Sequence, residues 1–377
     1  MKHFLILLVA SISLSCSAYA TTIETSAKQA IVMDYDTKQV LFEKNADEKM
    51  PTSSMSKVIT TYAIISEIKK GNLNLEDQFL VSEKAWKKGG SKMFVEVNKK
   101  VSIKDLLKGV IIQSGNDATI VLAEGLAGTE EDFARHLNKI AQKLGMENSN
   151  FVNASGWPDE NHYSTARDLA TLAYHTIKDF PEFYGYYAEK EFTYNNITQT
   201  NRNPLLSLDI GADGIKTGHT EIAGYGLMAS ALSSKDGRRV IVVFNGTDSM
   251  KSRAEEAEKL VLWGLNGFKN KVFLNEETDL YKVPVLFGKQ EFVQAGVEDS
   301  LTLTIEKLAE DDFKSAFKAK PDIQAPISVG DIVGTIEITK SGKPFKTVDV
   351  VAKSSVEELG AVKKFFAKTK HRFKNKD

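Results

Sequence analysis

Cysteine is almost missing from this chain: one residue in 377, Cys16. That excludes a disulfide framework and a thiolate zinc cluster. The six histidines (His3, His136, His162, His175, His219 and His371) form neither H-E-x-x-H nor a close pair, so no metal and no cofactor is expected. Charge of one sign is lacking too. Lys and Arg number 49 against 50 Asp and Glu, a net charge of −1, and without a basic field nucleic acid is not an expected partner. A long hydrophobic run is also absent. Phe4–Leu14 spans eleven residues, whereas a membrane-crossing helix needs about 20. What the chain does contain is 42% apolar and 26% charged residues, enough for ordinary packed cores in a length that suits two domains.

The two ends differ from the middle. Lys2 and His3, the apolar run and Ala18-Tyr19-Ala20 read as a secretory signal over residues 1–20. Cleavage after Ala20 would remove Cys16 and leave an exported, thiol-free protein. A lipoprotein reading would use Cys16, but Ser13 stands where such signals usually carry Leu. At the other end, residues 363–377 hold seven Lys/Arg and one Asp, a net +6, which leaves −7 on the rest. Leu359, Val362, Phe366, Thr369 and Phe373 recur at helical spacing, and Phe365 widens their face. Phenyl rings among lysines suit a helix lying on an anionic membrane surface; a solvated basic tail is the alternative.

Between the ends, Ala30–Tyr35 and Gln39–Glu43 read as a hairpin around Asp36-Thr37-Lys38. A helix is expected over Lys57–Lys70 with Val58, Tyr62, Ile65 and Ile68 on one face. Leu106–Ile112 and Ala118–Leu126 flank a polar break, Ala223–Leu232 and Arg239–Phe244 are strands, and Glu255–Leu265 is a helix. Strands at both ends with helices between them imply an α/β domain whose sheet joins its terminal segments. From about Lys271 the pattern turns to short alternating strands, which implies a small all-β domain.

The sharpest chemical signal is Ser54-Met55-Ser56-Lys57. Three residues apart on a helix, a hydroxyl and an amine share a face one turn apart. A neutral amine there can accept the serine's proton, and a helix N-terminus favours the developing anion. Ser315–Lys318 has the same S-x-x-K spacing, so that motif alone is weak. Ser114-Gly115-Asn116 follows Ser54 by 60 residues, and Lys216-Thr217-Gly218 follows by a further 102, just before the strand at Ala223. Lys340-Ser341-Gly342 fits the third element loosely and reads as a hairpin turn. Only Ser54, Ser114 and Lys216 complete the ordered triple, a combination associated with penicillin-binding proteins and class A β-lactamases.

With Pro51–Lys57, Asn201-Arg202-Asn203, Asp213–Thr220 and Leu260–Gly264, the chain resembles a low-molecular-mass penicillin-binding protein, a serine-type D-Ala-D-Ala carboxypeptidase. The resemblance implies a transpeptidase-like α/β (α+β) domain with an antiparallel sheet and a helical subdomain. A small all-β domain and an amphipathic anchor would follow. The boundaries it suggests are 1–20, 21–270, 271–354 and 355–377, on the periplasmic face of the inner membrane. It implies peptidoglycan stem pentapeptides ending in D-Ala-D-Ala as substrate and β-lactams as acylating inhibitors.

For the site it implies Ser54 as nucleophile, Lys57 as base with its pKa depressed by burial or by a nearby cation, Lys216 being the candidate, and Ser114 as proton relay. Asn116 would orient Lys57 and bind the substrate amide. Lys216 and Thr217 would bind the terminal carboxylate, with Arg202 and Arg253 nearby. Gly218 would let the peptide approach, and the backbone N–H of His219 would join that of Ser54 in an oxyanion hole. For Arg202 and Arg253 a surface ion pair is the alternative. Thr165 and Asp168 read as a capping box, with a hold on the active-site loop as the other reading of Asp168.

Three rival readings remain. A β-lactamase of the same fold would need a deacylating glutamate, but Ala134–Asn138 carries Ala where E-x-x-L-N has Glu. A D-alanyl-D-alanine endopeptidase would share the motifs. A non-enzymatic wall-binding module should show a broken triad, and none is broken.

Overall fold

In the computed structural model, residues 23–374 are described. The signal segment therefore lies outside the described residues. The chain opens with an antiparallel hairpin, β1 (Gln29–Asp34) and β2 (Val40–Lys44). A 3-10 turn, Ser53–Ser56, runs directly into α1 (Lys57–Lys69). A largely helical region follows. It contains β3 (Gln78–Leu80), α2 (Glu83–Lys87), β4 (Lys100–Ser102), α3 (Ile103–Ile111), α4 (Asn116–Ala127) and α5 (Glu130–Lys143). After α6 (Ala166–Asp179) and the short α7 (Pro181–Tyr184) comes the hairpin β5 (Glu191–Tyr194) and β6 (Ile197–Thr200). The chain then returns to the sheet through β7 (Ala212–Thr220), β8 (Gly224–Leu232) and β9 (Arg239–Thr247), and closes with α8 (Met250–Gly267).

The five-stranded sheet has the order β2-β1-β9-β8-β7, antiparallel throughout, with Ile31 opposite Val243 and His219 opposite Tyr225. The N-terminal hairpin thus pairs with β9 from the other end of the domain. Alternating strand residues build two cores. Val32, Val240 and Val242 pack with Leu260 and Val261 of α8 on one face. Ile31, Met33, Ile241 and Val243 join the helical region on the other. This is a three-layer sandwich.

The local chemistry sets the helix starts. Ser102 accepts from Asp105 N–H at 3.1 Å and Ser249 from Ser252 N–H at 3.0 Å. Both hydroxyls are N-caps, and they start their helices three and five residues earlier than periodicity suggests. The expected capping box is half formed. Thr165 accepts from Asp168 N–H at 3.0 Å, while the Asp168 carboxylate accepts from Asn148 N–H and the Ser149 hydroxyl. Helix α1 departs from the one-faced pattern: every residue from Lys57 to Ile65 is buried. It is the central helix, packed by α3, α4, α5 and α6 and by β7, and a helix surrounded on all sides needs no polar face.

Beyond α8 the chain is all-β up to its last helix. A ribbon of β10 (Phe268–Leu274) with β13 (Leu301–Glu306) adjoins a second five-stranded sheet. That sheet comprises β11 (Tyr281–Pro284), β12 (Phe292–Gly296), β14 (Phe313–Ala319), β15 (Ile332–Lys340) and β16 (Lys343–Ala352), in the order β11-β12-β16-β15-β14. Its core includes Val283, Val293, Ile336, Ile338 and Val350. Ser315–Lys318 lies in β14, and Ser341 and Gly342, at φ 50° and 77°, form the β15–β16 turn. A polar seam joins the two domains. Gln39 Nε2 donates to Thr304 O at 2.9 Å, Thr37 and Thr304 share a hydroxyl contact, and Asn270 donates to Asp36.

The chain ends in α9 (Ala361–Lys374). Its His371 ring meets Phe287 edge-on at 5.9 Å and Lys368 lies over the same ring, while Val362, Phe365 and Phe366 face solvent. Leu359, counted on the helical face from its spacing, precedes the helix and bonds through its N–H to Phe287 O. The Phe373 side chain is outside the described residues. No helix among the described residues is long and apolar enough to cross a membrane.

Candidate active site

Ser54 sits in the 3-10 turn that precedes α1, and Lys57 is the first residue of that helix. The amine is 1% exposed as a residue and its Nζ lies 2.8 Å from each of three oxygens: Ser54 Oγ, Asn116 Oδ1 and Ser155 O. Asn116 opens α4. Its Nδ2 donates to Gly89 O at 2.9 Å, which fixes the amide with its oxygen toward Lys57.

Asn116 Oδ1 and the Ser155 carbonyl can only accept. A neutral amine must spend its two N–H bonds on them, so its lone pair faces the one neighbour with a proton to give, the Ser54 hydroxyl. Burial pushes the Lys57 amine down to about 7, the Arg202 guanidinium and then Lys88 push the same way, and Asp117 opposes them. Burial, one of the two expected causes, is the main one, and Lys216, the candidate cation, is not among the charges that lower it. It is itself buried, 3% exposed, and held well below the usual lysine range by burial first and then by Lys57.

A cleft of about 530 Å³ opens over this group. Ser54, Ser114, Arg202, Thr217, Gly218, His219 and Arg253 line it, while Lys57, Asn116 and Lys216 are buried. Ser114 lies between α3 and α4 at φ 60°, and its buried hydroxyl has no protein partner among the described residues. Lys216, Thr217 and Gly218 precede the strand expected at Ala223, which is β8, and lie in a further strand, β7, at the sheet's edge. Arg202 donates to Ser91 Oγ at 2.6 Å. Arg253 lies over the Tyr225 ring, on which His219 is stacked at 3.9 Å. Neither arginine makes an ion pair among the described residues. With two arginines and no carboxylate in its lining, the cleft suits an anionic ligand.

Gly218 lines the cleft, and packing against the nucleophile turn gives a further reason for a glycine there. A Cβ on Gly218 would meet Thr52 O at 2.9 Å, Met55 Cγ at 3.1 Å and Ser53 Cβ at 3.3 Å. The missing side chain makes room for the nucleophile turn against the strand. On the far side of that turn, Ser56 Oγ lies 2.8 Å from His162 Nε2 and also contacts Thr52. His162 Nδ1 accepts from Val152 N–H at 3.2 Å, so Nε2 carries the proton and donates to Ser56.

The amino-acid sequence of this chain matches the model of the D-alanyl-D-alanine carboxypeptidase family over residues 16–248. The chain belongs to that family. Residues 268–358 match the penicillin-binding protein 5 C-terminal domain. Among curated relatives, the D-alanyl-D-alanine carboxypeptidase DacC of Escherichia coli is 38% identical, with 89% of this chain and 85% of that protein aligned. DacA of Haemophilus influenzae is 36% identical over 89% of this chain and 87% of its own length. The crystal structure of penicillin binding protein 5 from Haemophilus influenzae superposes with a TM-score of 0.81 at 36% identity, covering 90% of this chain and 99% of that one.

Reading by motif missed several parts of this carboxypeptidase-family site. The Asp117 carboxylate accepts from the backbone N–H groups of Met93, Phe94 and Val95 at 2.8, 2.8 and 3.2 Å. It pins the loop that delivers Ser91. Position 117 immediately follows S-x-N, and that adjacency was the available signal. Ser155 O, Thr200, Tyr225 and Met250 carried none: the first acts through its backbone carbonyl, and the others line the cleft from β6, β8 and α8.

Proposed function

We propose that Ser54 is the nucleophile of this D-alanyl-D-alanine carboxypeptidase, deprotonated by Lys57 and acylated by the carbonyl between the last two D-alanines of a peptidoglycan stem pentapeptide. The observation that carries this is the Lys57 amine: buried, lowered to about 7, and 2.8 Å from Ser54 Oγ with acceptor-only partners on its other sides. Ser114, lining the same cleft with an unused hydroxyl, passes the proton to the departing D-alanine nitrogen. The backbone N–H groups of Ser54 and His219 hold the oxyanion, an effect worth about 3–4 kcal/mol per donor in other serine enzymes. Lys216, Thr217, Arg202 and Arg253 hold the terminal carboxylate, which supplies the counter-charge this crowd of cations lacks. Asn116 orients Lys57 and binds the substrate amide. Water then attacks the acyl-enzyme with Lys57 as base, since no carboxylate lines the cleft among the described residues. β-Lactams acylate the same hydroxyl.

The E-x-x-L-N lookalike gives no support to a β-lactamase: Ala134 and Asn138 are within α5, and Asn138 bonds to the Phe151 backbone. The test is mass spectrometry of penicillin-treated protein together with D-alanine release from a pentapeptide. Ser54→Ala should abolish both the adduct and the release; an adduct that persists in that variant rejects the assignment.

The protein is exported and sits peripherally on the outer face of the cytoplasmic membrane, held by α9. The exposed Val362, Phe365 and Phe366 among lysines support this reading. Deleting residues 356–377 should release the protein from anionic vesicles; unchanged recovery with the vesicles rejects the anchor.

A further inference from the structure

The amine of Lys57 meets one acceptor that the S-x-x-K spacing does not supply, the Ser155 carbonyl at 2.8 Å. Ser155 belongs to the segment between α5 and α6, and side chains from several places hold that segment down. Thr60 of α1 donates to Ala154 O at 2.7 Å. In α5, Asn138 accepts from Phe151 N–H at 2.9 Å and Glu130 from Ala154 N–H at 3.2 Å. His162 accepts from Val152 N–H at 3.2 Å. Of these four side chains, only that of His162 also bonds to the nucleophile turn among the described residues. Its Nε2 lies 2.8 Å from the hydroxyl of Ser56, which stands between Ser54 and Lys57 in the chain.

The ring is built into this seam. It is 3% exposed, meets the Phe151 ring edge-on at 5.5 Å, and is flanked by a pair of backbone bonds between Asn150 and Tyr163. Asp159 and Lys57 are the charged groups that face it among the described residues. One ring nitrogen donates to Ser56 while the other accepts from Val152, and only a neutral imidazole does both. Ser56 is bound onward to Thr52. The seam is tight: Gly156, at φ 77°, packs where a Cβ would overlap Ser53 O. His162 does not line the catalytic cleft, so it acts on the reaction only through what it holds.

We propose that His162 is a positioning residue for Lys57: it fastens the nucleophile turn to the segment that presents the Ser155 carbonyl, which fixes the direction of the amine and closes water out from behind it. The inference rests on the assignment of Ser54 and Lys57 above. Cutting the tie lets the turn and the segment part. Burial is the largest influence holding the Lys57 amine low, so water entering the seam raises it. The same water replaces the Ser155 carbonyl as an acceptor, so losing that contact does not offset the rise. A base raised in this way is less often free at neutral pH, and raising the pH recovers it.

The test follows the rate constant for acylation by benzylpenicillin from about pH 5 to about pH 10. In His162→Leu the midpoint should rise by about one unit, so the rate constant at pH 7 falls about fivefold and the gap closes by about pH 10. Ser56→Ala cuts the same tie at its other end and should give the same shift, and the double variant should shift no further. His162→Gln, a neutral amide with both an N–H and a C=O, should keep the native midpoint. Each rate constant is taken from the molecules that carry label at saturation, which leaves misfolded protein out. Where His162→Leu does not fold, Ser56→Ala, which removes one hydroxyl, carries the test. A midpoint that stays at about 7 in Ser56→Ala, a rate lowered by one factor at every pH, or a shift in His162→Gln as large as in His162→Leu overturns the proposal. Failure of the Ser54 and Lys57 reading shows in the native protein instead, as no label or no titration near pH 7, and the positioning role falls with it.

Discussion

Acylation of Ser54 should follow one titration near pH 7, and the structure sets its size. A lysine at its ordinary value, 10.5, would be neutral in about one molecule in 3,000 at pH 7, whereas one at about 7 is neutral in about half. The site thus raises the fraction of free base by about 1,600-fold, equivalent to roughly 4.4 kcal/mol. The perturbation is pH. From pH 8 to pH 5 the neutral fraction falls from about 0.9 to about 0.01, so the second-order rate constant for acylation by benzylpenicillin should fall roughly 90-fold. Rapid quench and mass spectrometry of the adduct measure that constant without interference from deacylation. A rate that is flat from pH 5 to 8, or that keeps rising toward pH 10, would refute the argument. Folding does not imitate this loss through Lys57. Between about 7 and 10.5 the unfolded chain keeps a proton that the folded site releases, so the fold gains stability as pH rises there; below about 7 both states are protonated and this residue adds no further change. Near-ultraviolet circular dichroism over the same range records the remaining contributions.

Two other outcomes bear on the framework around the nucleophile. Gly218→Ala forces a methyl against Thr52 O at 2.9 Å and should cost about 1–3 kcal/mol in denaturant unfolding, with acylation slowed at least about tenfold by displacement of the turn; native-like values for both would show that β7 can yield. His162 is held down at about 4 by burial, against an ordinary 6.5. As pH falls from 6.5 to 4 the unfolded chain takes up a proton that the folded one refuses, and stability drops by up to about 3 kcal/mol. His162→Gln should remove that part of the acid sensitivity in urea midpoints measured against pH, and an unchanged slope would contradict it.

Much of the framework was legible because it is periodic or punctuated. The strands around the Ser233–Gly237 turn alternate and end at turn residues, and the β15–β16 turn is marked by Ser341-Gly342. Helix α1 was legible as a helix but not as a buried one, because its burial depends on four other helices and a strand closing round it. The edge strand β7 was passed over. Glycines, a lysine and threonines do not look like a strand until β8 supplies the ladder, from Ala212 opposite Ala231 to Thr220 opposite Gly224.

The amino-acid sequence by itself determined which chemical groups are available and in what order: a hydroxyl and an amine one helical turn apart, a second serine beside an asparagine, and a lysine-threonine-glycine run. Spacing three residues apart is a local property, set by the helix repeat. Tertiary structure alone decided which of those groups face the cleft and what protonation they hold. Lys57 is a usable base because Asn116, Ser155 and Ser54 converge on it from separate segments while the core excludes water. Desolvation and the direction of a lone pair arise from neighbours that no local pattern specifies.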